Sequence, residues 1–334
     1  MRPESGTPVY RPDLGIYMIE TGQIPQGGFI GLEVLPPYTT PDDAGTFKVI
    51  PLEEYRKLVS DSRSPLGAYN RTDWKYQRAR FSTRDKGIEE PIDDDEFDRL
   101  ERQSPGMADQ VTIDSARGII QMNQEKRIAD KVMDPTRFTA KGVSTPWDNV
   151  STGKPITDVK DGMSDFRKKM GVLPDTLVLS WNSANNVNKT EEVRNTLQYT
   201  FPGLDINNLT AVQLARMFGI ARVLIGNALF DAADKNRPRE LTDFWPDTHA
   251  ALVKTNRGPD LRQPCVGRTF IWTADSRTEP IVEVYREEQI RSDVYRVRHH
   301  VDERLLVTED EDGNTLTDIA ASCVYLFSGI KTED

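Results

Sequence analysis

The sequence is poor in the side chains that most often do chemistry. In 334 residues it has two cysteines, Cys265 and Cys323, and three histidines, His249, His299 and His300. Two thiols so far apart make no disulfide framework and no Cys-x-x-Cys pair, and they fit a reducing compartment where free thiols pack as small apolar groups. Consecutive strand residues point to opposite faces, so His299 and His300 do not chelate one ion together and are expected to face solvent or to be hydrogen-bonded. No apolar run approaches the roughly 18 residues of a membrane span, and the stretch "MRPESGTPVYRPDLG" lacks the apolar core of a secretion signal. An origin in the cytosol, with no membrane partner, is expected. Positive charge is short as well: 43 Lys and Arg stand against 53 Asp and Glu, a formal net charge of -10. That excludes a general nucleic-acid coat, because phosphate binding rests on clustered Lys and Arg.

Motifs for catalysis and ligand binding are missing too. "STGKPIT" contains Gly153-Lys154, but Asp148 stands where a phosphate loop needs its first glycine, and Pro155 replaces the Ser or Thr that holds magnesium. "GGFIG" at 27–31 is not followed by a helical pattern and reads as a turn. "DDDE" at 93–96 lacks the alternating spacing and glycine of a calcium loop and reads as a solvated charged face; "EDEDGN" from Glu309 is in the wrong register for that loop. No Gly-x-Ser-x-Gly elbow occurs. No cofactor and no metal are expected, and catalysis is left only to a site assembled from dispersed residues.

What is present is a globular composition, 37% hydrophobic and 29% charged. Its length suits one large domain or two ordinary ones, with a core that needs no metal or disulfide. Residues 1–45 are rich in Pro and Gly and carry no helical period, so alone they cannot offset an ordering entropy of roughly 1–2 kcal/mol per residue. A strand "TFKVI", a short helix "PLEEYRKLV", a turn "SRSPLGAYN" and a strand "DWKYQRARF" follow. A long helix is expected over 109–134, with Ile113, Ala116, Ile120, Ile128, Val132 and Met133 near one stripe and Pro135 ending it. Between about 157 and 226 an amphipathic helix, a glycine stop and a β-rich run occur twice, the stops being Gly171 and Gly219; Thr210 and Gln213 form a capping box. From about Cys265 the period becomes that of strands, and Asp312-Gly313 signals a hairpin.

Within this order one stretch sorts its charges. Arg71, Lys75, Arg78, Arg80, Arg84 and Lys86 are interrupted only by Asp73 and Asp85, and an acidic run from Glu89 to Glu101 follows, relieved only by Arg99. Alternation puts Trp74, Tyr76, Arg78 and Arg80 on one strand face and Lys75, Gln77, Ala79 and Phe81 on the other, and neither is a clean core face. A two-stranded projection with legs of about 14 residues reaches roughly 45 Å, and an isolated hairpin is marginal in water. It needs something to lie on. An intramolecular hairpin whose arginines face water is the alternative.

This sequence of parts resembles the major capsid proteins of tailed bacteriophages. The resemblance rests on "WKYQRARFSTRDKGIEEPIDD" from Trp74, "EKRIAD" from Glu125, "PDTLVLS", the 210–218 helix, "IARVLIG", "WPDTHAALVKT", "GRTFIWT" and "VEVYREEQIRSDVYRVRHH". Each is weak alone; their order over roughly 250 residues carries the likeness. It implies an α+β fold with an N-terminal arm (1–45), an extended loop (46–92), a peripheral domain with a spine helix (93–150), an α/β axial domain (151–257) and the returning peripheral strands (258–334). It further implies hexamers and pentamers of this chain in an icosahedral head around double-stranded DNA, in a virion assembled in the host cytoplasm. The partners implied are the chain itself, portal and scaffolding proteins, a decoration or cement protein, and weakly held DNA. Some members crosslink through a Lys and an Asn, and nothing here selects Lys75 or another candidate.

Joined to the charge-sorted stretch, the resemblance gives a set of intersubunit contacts. Trp74, Tyr76 and Phe81 are expected as apolar anchors on a neighbouring copy. Arg78, Arg80, Arg84 and Lys86 are expected to meet carboxylates such as Glu89, Glu90, Asp93, Asp94 and Asp95. Apolar burial at about 25 cal/mol per Å² would supply stability, while the charges fix register. An acidic wall would let packaged DNA slide. A shell protein of a cellular nanocompartment with a cargo enzyme is the second reading, and an enzyme on the α/β module the third.

Overall fold

A computed structural model describes residues 8–11, 13–14, 28–49, 58–63, 67–71, 77–200, 209–233, 237–274, 280–306 and 323–332. The expected anchors Trp74 and Tyr76, Lys75, most of the short helix from Pro51, most of the N-terminal arm and the Asp312-Gly313 turn lie outside these residues.

The strands in chain order are β1 (Val9–Tyr10), β2 (Pro37–Thr40), β3 (Ala44–Val49), β4 (Gln77–Ser82), β5 (Arg84–Asp93), β6 (Lys141–Gly142), β7 (Thr176–Ser180), β8 (Arg222–Gly226), β9 (Leu229–Asp231), β10 (Leu241–Asp243), β11 (His249–Val253), β12 (Gly267–Trp272), β13 (Ile281–Glu287), β14 (Ser292–Leu305) and β15 (Val324–Ser328). Two larger sheets result. One is built on β14, whose edges are occupied by β5 on one side and by β13 and β12, end to end, on the other; Val301 pairs with both Arg84 of β5 and Ile271 of β12. β1 extends this sheet beyond β13, and β2 extends it in parallel beyond β12. The other sheet runs β6-β15-β11-β7-β8, with β7 and β8 parallel.

β14 is long because its pattern is regular. From Tyr295 onward buried and half-buried positions alternate, so Tyr295, Val297, His299, Val301, Glu303 and Leu305 line one face and Arg296, Arg298, His300, Asp302 and Arg304 the other. The spine helix, Met107–Val132, lies against the first of these faces. Its 26 residues span about 39 Å at 1.5 Å per residue. The expected stripe is the buried one: Ile113, Ala116, Ile128 and Val132 are fully covered, and Ile120 and Met133 nearly so. Its N-terminal half packs on Ile92, Val282, Val284, Tyr295 and Val297. Its C-terminal residues Ile128, Ala129 and Val132 pack with Val178, Leu224, Ala251 and Trp245 of the second sheet region, so one helix ties the two sheets together.

The second sheet and the helices Pro155–Met170, Trp181–Lys189, Glu191–Thr200 and Ala211–Phe218 form the α/β module. Gly171 and Gly219 both stop their helices in the left-handed conformation, and the Thr210–Gln213 capping box is formed. One boundary differs from the sequence division. β15, at the end of the chain, joins this sheet rather than the β14 sheet: Tyr325 and Phe327 enter the module core on one face, Val324 and Leu326 the spine-helix core on the other. A strand apolar on both faces is stable only between two packed layers, and the centre of this sheet supplies them. The small strand β6 pairs beside it.

The third relevant unit is the pair β3–β4, antiparallel from Ala44↔Ser82 to Val49↔Gln77. It forms the base from which residues 50–76 leave. Residues 84–92, read in the sequence as the end of this loop, are β5, a sheet strand paired with β14 over ten residues.

Candidate functional site

The candidate contact residues fall into three environments. The first is the loop base. Ala79 is buried, and Arg78 and Arg80 on the alternate face are exposed. Phe81 stacks on Phe270 of its own chain, with centroids 4.5 Å apart and planes at 7°. Phe47 and Tyr38 add to the same aromatic cluster. Phe81 therefore anchors the loop base to β12, correcting the expectation of an anchor on a neighbour; its period-2 position was legible, its partner 189 positions on was not. Farther out, Leu58 is 99% exposed and Tyr69 70% exposed. Arg63 lies over the Tyr69 ring at 4.7 Å and donates to the Gly67 carbonyl at 2.7 Å.

The second environment is the sheet. Lys86 donates to Glu303 at 2.8 Å, and Glu89 accepts from Arg296 at 2.7 Å, its direct cross-strand neighbour. Arg296 also reaches Glu283 on the opposite strand at 3.0 Å, making a three-strand Glu-Arg-Glu ladder. Asp94 takes Arg286 at 2.6 and 2.9 Å. The side chain of Asp93 accepts from the Asp95 amide at 2.9 Å and caps the helix Asp94–Gln103. Lys86, Glu89, Asp93 and Asp94 thus have partners within the chain, and the sorted charges of the sequence are in large part the two sides of one sheet. Glu90 is half-buried on the helix-facing side of β5; Arg84 and Asp95 are exposed.

The third is a groove of about 840 Å³ between the loop base, the end of β14 and the spine helix. Arg80, Arg84, Lys86, Arg127, Lys131 and Arg304 line it, against only Asp302 and Glu303. At its floor Glu303, 1% exposed, accepts from Arg127 at 2.7 Å and from Lys86 at 2.8 Å, and Lys131 donates to the Glu303 carbonyl. Burial pushes the Glu303 carboxyl up, but the Arg127 and Lys86 hydrogen bonds and charges outweigh it and hold it down at about 2. Beside it His299 is buried, and burial together with the Arg127 charge pushes its imidazole down to about 4. Among the described residues its Nε2 has no hydrogen-bond partner. The sequence expectation of a solvent-facing or hydrogen-bonded His299 is therefore corrected: the charged neighbours in "YRVRHHVDER" masked an inward position.

One functional residue was visible only as part of a motif. Glu125, of "EKRIAD", is buried and accepts the Ile30 amide at 2.9 Å, the Gly31 amide at 2.8 Å and the Trp245 indole at 2.7 Å. It pins the root of the N-terminal segment and the α/β module to the spine. Gly31 is required by the approach: a Cβ there would sit 2.5 Å from the Glu125 carboxylate. Burial raises the Glu125 carboxyl above its usual range, in spite of the three donors. Among the described residues no group of three or more His, Cys, Asp or Glu side chains is placed to hold a metal ion.

Comparison with known proteins places this geometry. No family model matches the chain. In sequence it is 24% identical over 279 residues to the major capsid protein of Burkholderia phage BcepMu, covering 80% of this chain and 86% of that one. In structure it is similar to a phage-related protein of Bordetella bronchiseptica RB50, with a TM-score of 0.70, 17% identity and coverage of 98% and 100%. A candidate capsid protein of an Escherichia coli CFT073 prophage gives a TM-score of 0.56 at 9% identity, over 97% and 99%. The virus-like particle of Pyrococcus furiosus gives 0.51 at 8%, over 95% and 96%. Over nearly its whole length the chain therefore has the α+β fold of the tailed-phage major capsid proteins, and in sequence it is a relative of one of them.

Proposed function

We propose that this chain is the structural major capsid subunit of a phage head, assembling as hexamers and pentamers into an icosahedral shell around double-stranded DNA. The observation that carries this reading is the loop base β3–β4, which leads out to side chains such as Leu58 and Tyr69 that have no core of their own to enter. Large apolar groups on a thin projection gain burial only against another surface. The sequence relative, itself named a major capsid protein, supports a shell of like copies as that surface. The role is structural rather than catalytic; the portal, scaffolding and cement proteins are its further partners, DNA touches its acidic wall weakly, and the virion, assembled in the host cytoplasm, is its place. Arg78→Glu with Arg80→Glu tests it: assembly falls while the far-UV circular dichroism of the monomer stays unchanged. Unimpaired assembly contradicts an intersubunit loop.

A nanocompartment shell that holds a cargo enzyme is the second reading, favoured by the likeness to the Pyrococcus furiosus particle. The sequence relative and the higher structural similarity both lie with phage-related proteins, which favours the head. Nucleic acid rather than cargo protein inside purified particles decides between them.

A further inference from the structure

The charges left over once the intrachain pairs are made are segregated at opposite ends of one strand. The helix Asp94–Gln103 begins where Asp93 of β5 pairs with Ser292, at the start of β14. It buries none of its residues completely and holds Asp95, Glu96 and Asp98 in exposed positions. The basic groove is built around Val301–Arg304, at the end of β14. Ten residues of extended chain put roughly 33 Å between the two. The spine helix and β5, packed along β14 between them, keep that separation rigid. The acidic helix of a chain therefore cannot reach its own groove.

We propose that the basic groove receives the acidic helix Asp94–Gln103 of a second copy of this chain. The inference rests on the shell-forming function proposed above and names one of its contacts. Groove and helix are different patches, so the contact is heterologous, and repetition of one such contact closes a ring when its rotation divides the circle. The six cations of the groove face only two carboxylates, one of them, Glu303, already saturated by Arg127, Lys86 and Lys131. The excess matches the acidic surface in sign, and like-charge juxtaposition rejects groove-to-groove or helix-to-helix contacts.

Charge reversal tests the pairing on the full chain. The groove variant is Arg80→Glu with Arg84→Glu, and the helix variant is Asp95→Lys with Asp98→Lys; all four positions are exposed. Each variant alone is expected to lose at least tenfold in assembled mass by sedimentation, with the circular dichroism of the monomer unchanged. The four-site combination is expected to return to wild-type assembly. An equimolar mixture of the two variants must alternate around a ring, so it is expected to give six-membered rings and no five-membered ones. The neutral pair Arg80→Gln with Arg84→Gln, which carries no reversed charge into the fold, is expected to lose assembly partially.

Wild-type assembly in both reversed variants, or failure of both the combination and the mixture to restore it, overturns the proposal. The run Glu309, Asp310, Glu311 and Asp312 follows the groove strand in sequence. Should its amide variants abolish assembly while the helix variant assembles normally, that run is the occupant and the proposal is also overturned. Wild-type protein that forms no particle removes the shell function itself, whereas wild-type particles that are insensitive to both reversals remove only this contact.

Discussion

The carboxylate of Glu125 and the indole of Trp245 meet at 2.7 Å although 120 positions separate them. Through this one contact, and the two amides at Ile30 and Gly31, the spine helix holds both the α/β module and the root of the N-terminal segment. An unfilled buried donor costs roughly 1–3 kcal/mol. Glu125→Ala orphans three of them, and a loss of about 3 kcal/mol or more in a urea titration is expected. Glu125→Gln keeps the acceptor oxygen but turns an amide nitrogen toward a donor, and is expected to fall between wild type and alanine.

The Gly31 position follows from the same geometry. Gly31→Ala drives a methyl against the Glu125 carboxylate, and about 1–3 kcal/mol of overpacking strain is expected. Thermal melts of Gly31→Ala alone and together with Glu125→Ala check it: the second methyl should cost less once the carboxylate is gone.

The spine stripe, the glycine helix stops, the capping box and the β-rich tail were legible in the sequence because each depends on residues within about one or two turns of one another. Ile113 through Met133 declare a helix face by spacing alone. The partner of Lys86 is not declared that way: Glu303 lies 217 positions downstream, and only the pairing of β5 with β14 brings it there. The same holds for β15, whose "VYLF" reads as a strand but whose sheet is chosen by two cores meeting at the spine helix. Charge order along the chain therefore pointed at real surfaces but assigned several of the partners to the wrong copy, since a strand with a charged neighbour on each edge looks in sequence like one waiting for another molecule.

The groove floor sets an acid limit on stability. Glu303 has its folded value lowered to about 2, so its contribution is present above the ordinary carboxylate range and is lost as pH falls through about 2. His299, held neutral with its folded value lowered to about 4, also stabilises at higher pH. The unfolded chain takes up that proton first, so stability declines as pH drops from about 6.5 to 4. Facing His299 are Arg127, Glu303, Lys86 and His300. Glu303→Gln leaves Arg127 and Lys86 uncompensated, and a loss of about 3 kcal/mol at pH 7 is expected. His299→Gln should flatten the denaturation midpoint between pH 6.5 and 4; an unchanged slope there contradicts the assignment.

Phe81 is expected to hold the loop base rather than a neighbour. Phe81→Ala removes the stack on Phe270 and about 1–3 kcal/mol of local packing. Amide hydrogen exchange across 44–49 and 77–82 should quicken, while exchange in the spine helix stays as in wild type.

The central claim, that copies of this chain close into a shell, is tested most directly by negative-stain electron microscopy of the purified full-length protein. The account predicts round, closed particles of uniform diameter with hexameric and pentameric units in their walls. A field of single compact molecules, unchanged on concentration, would contradict it.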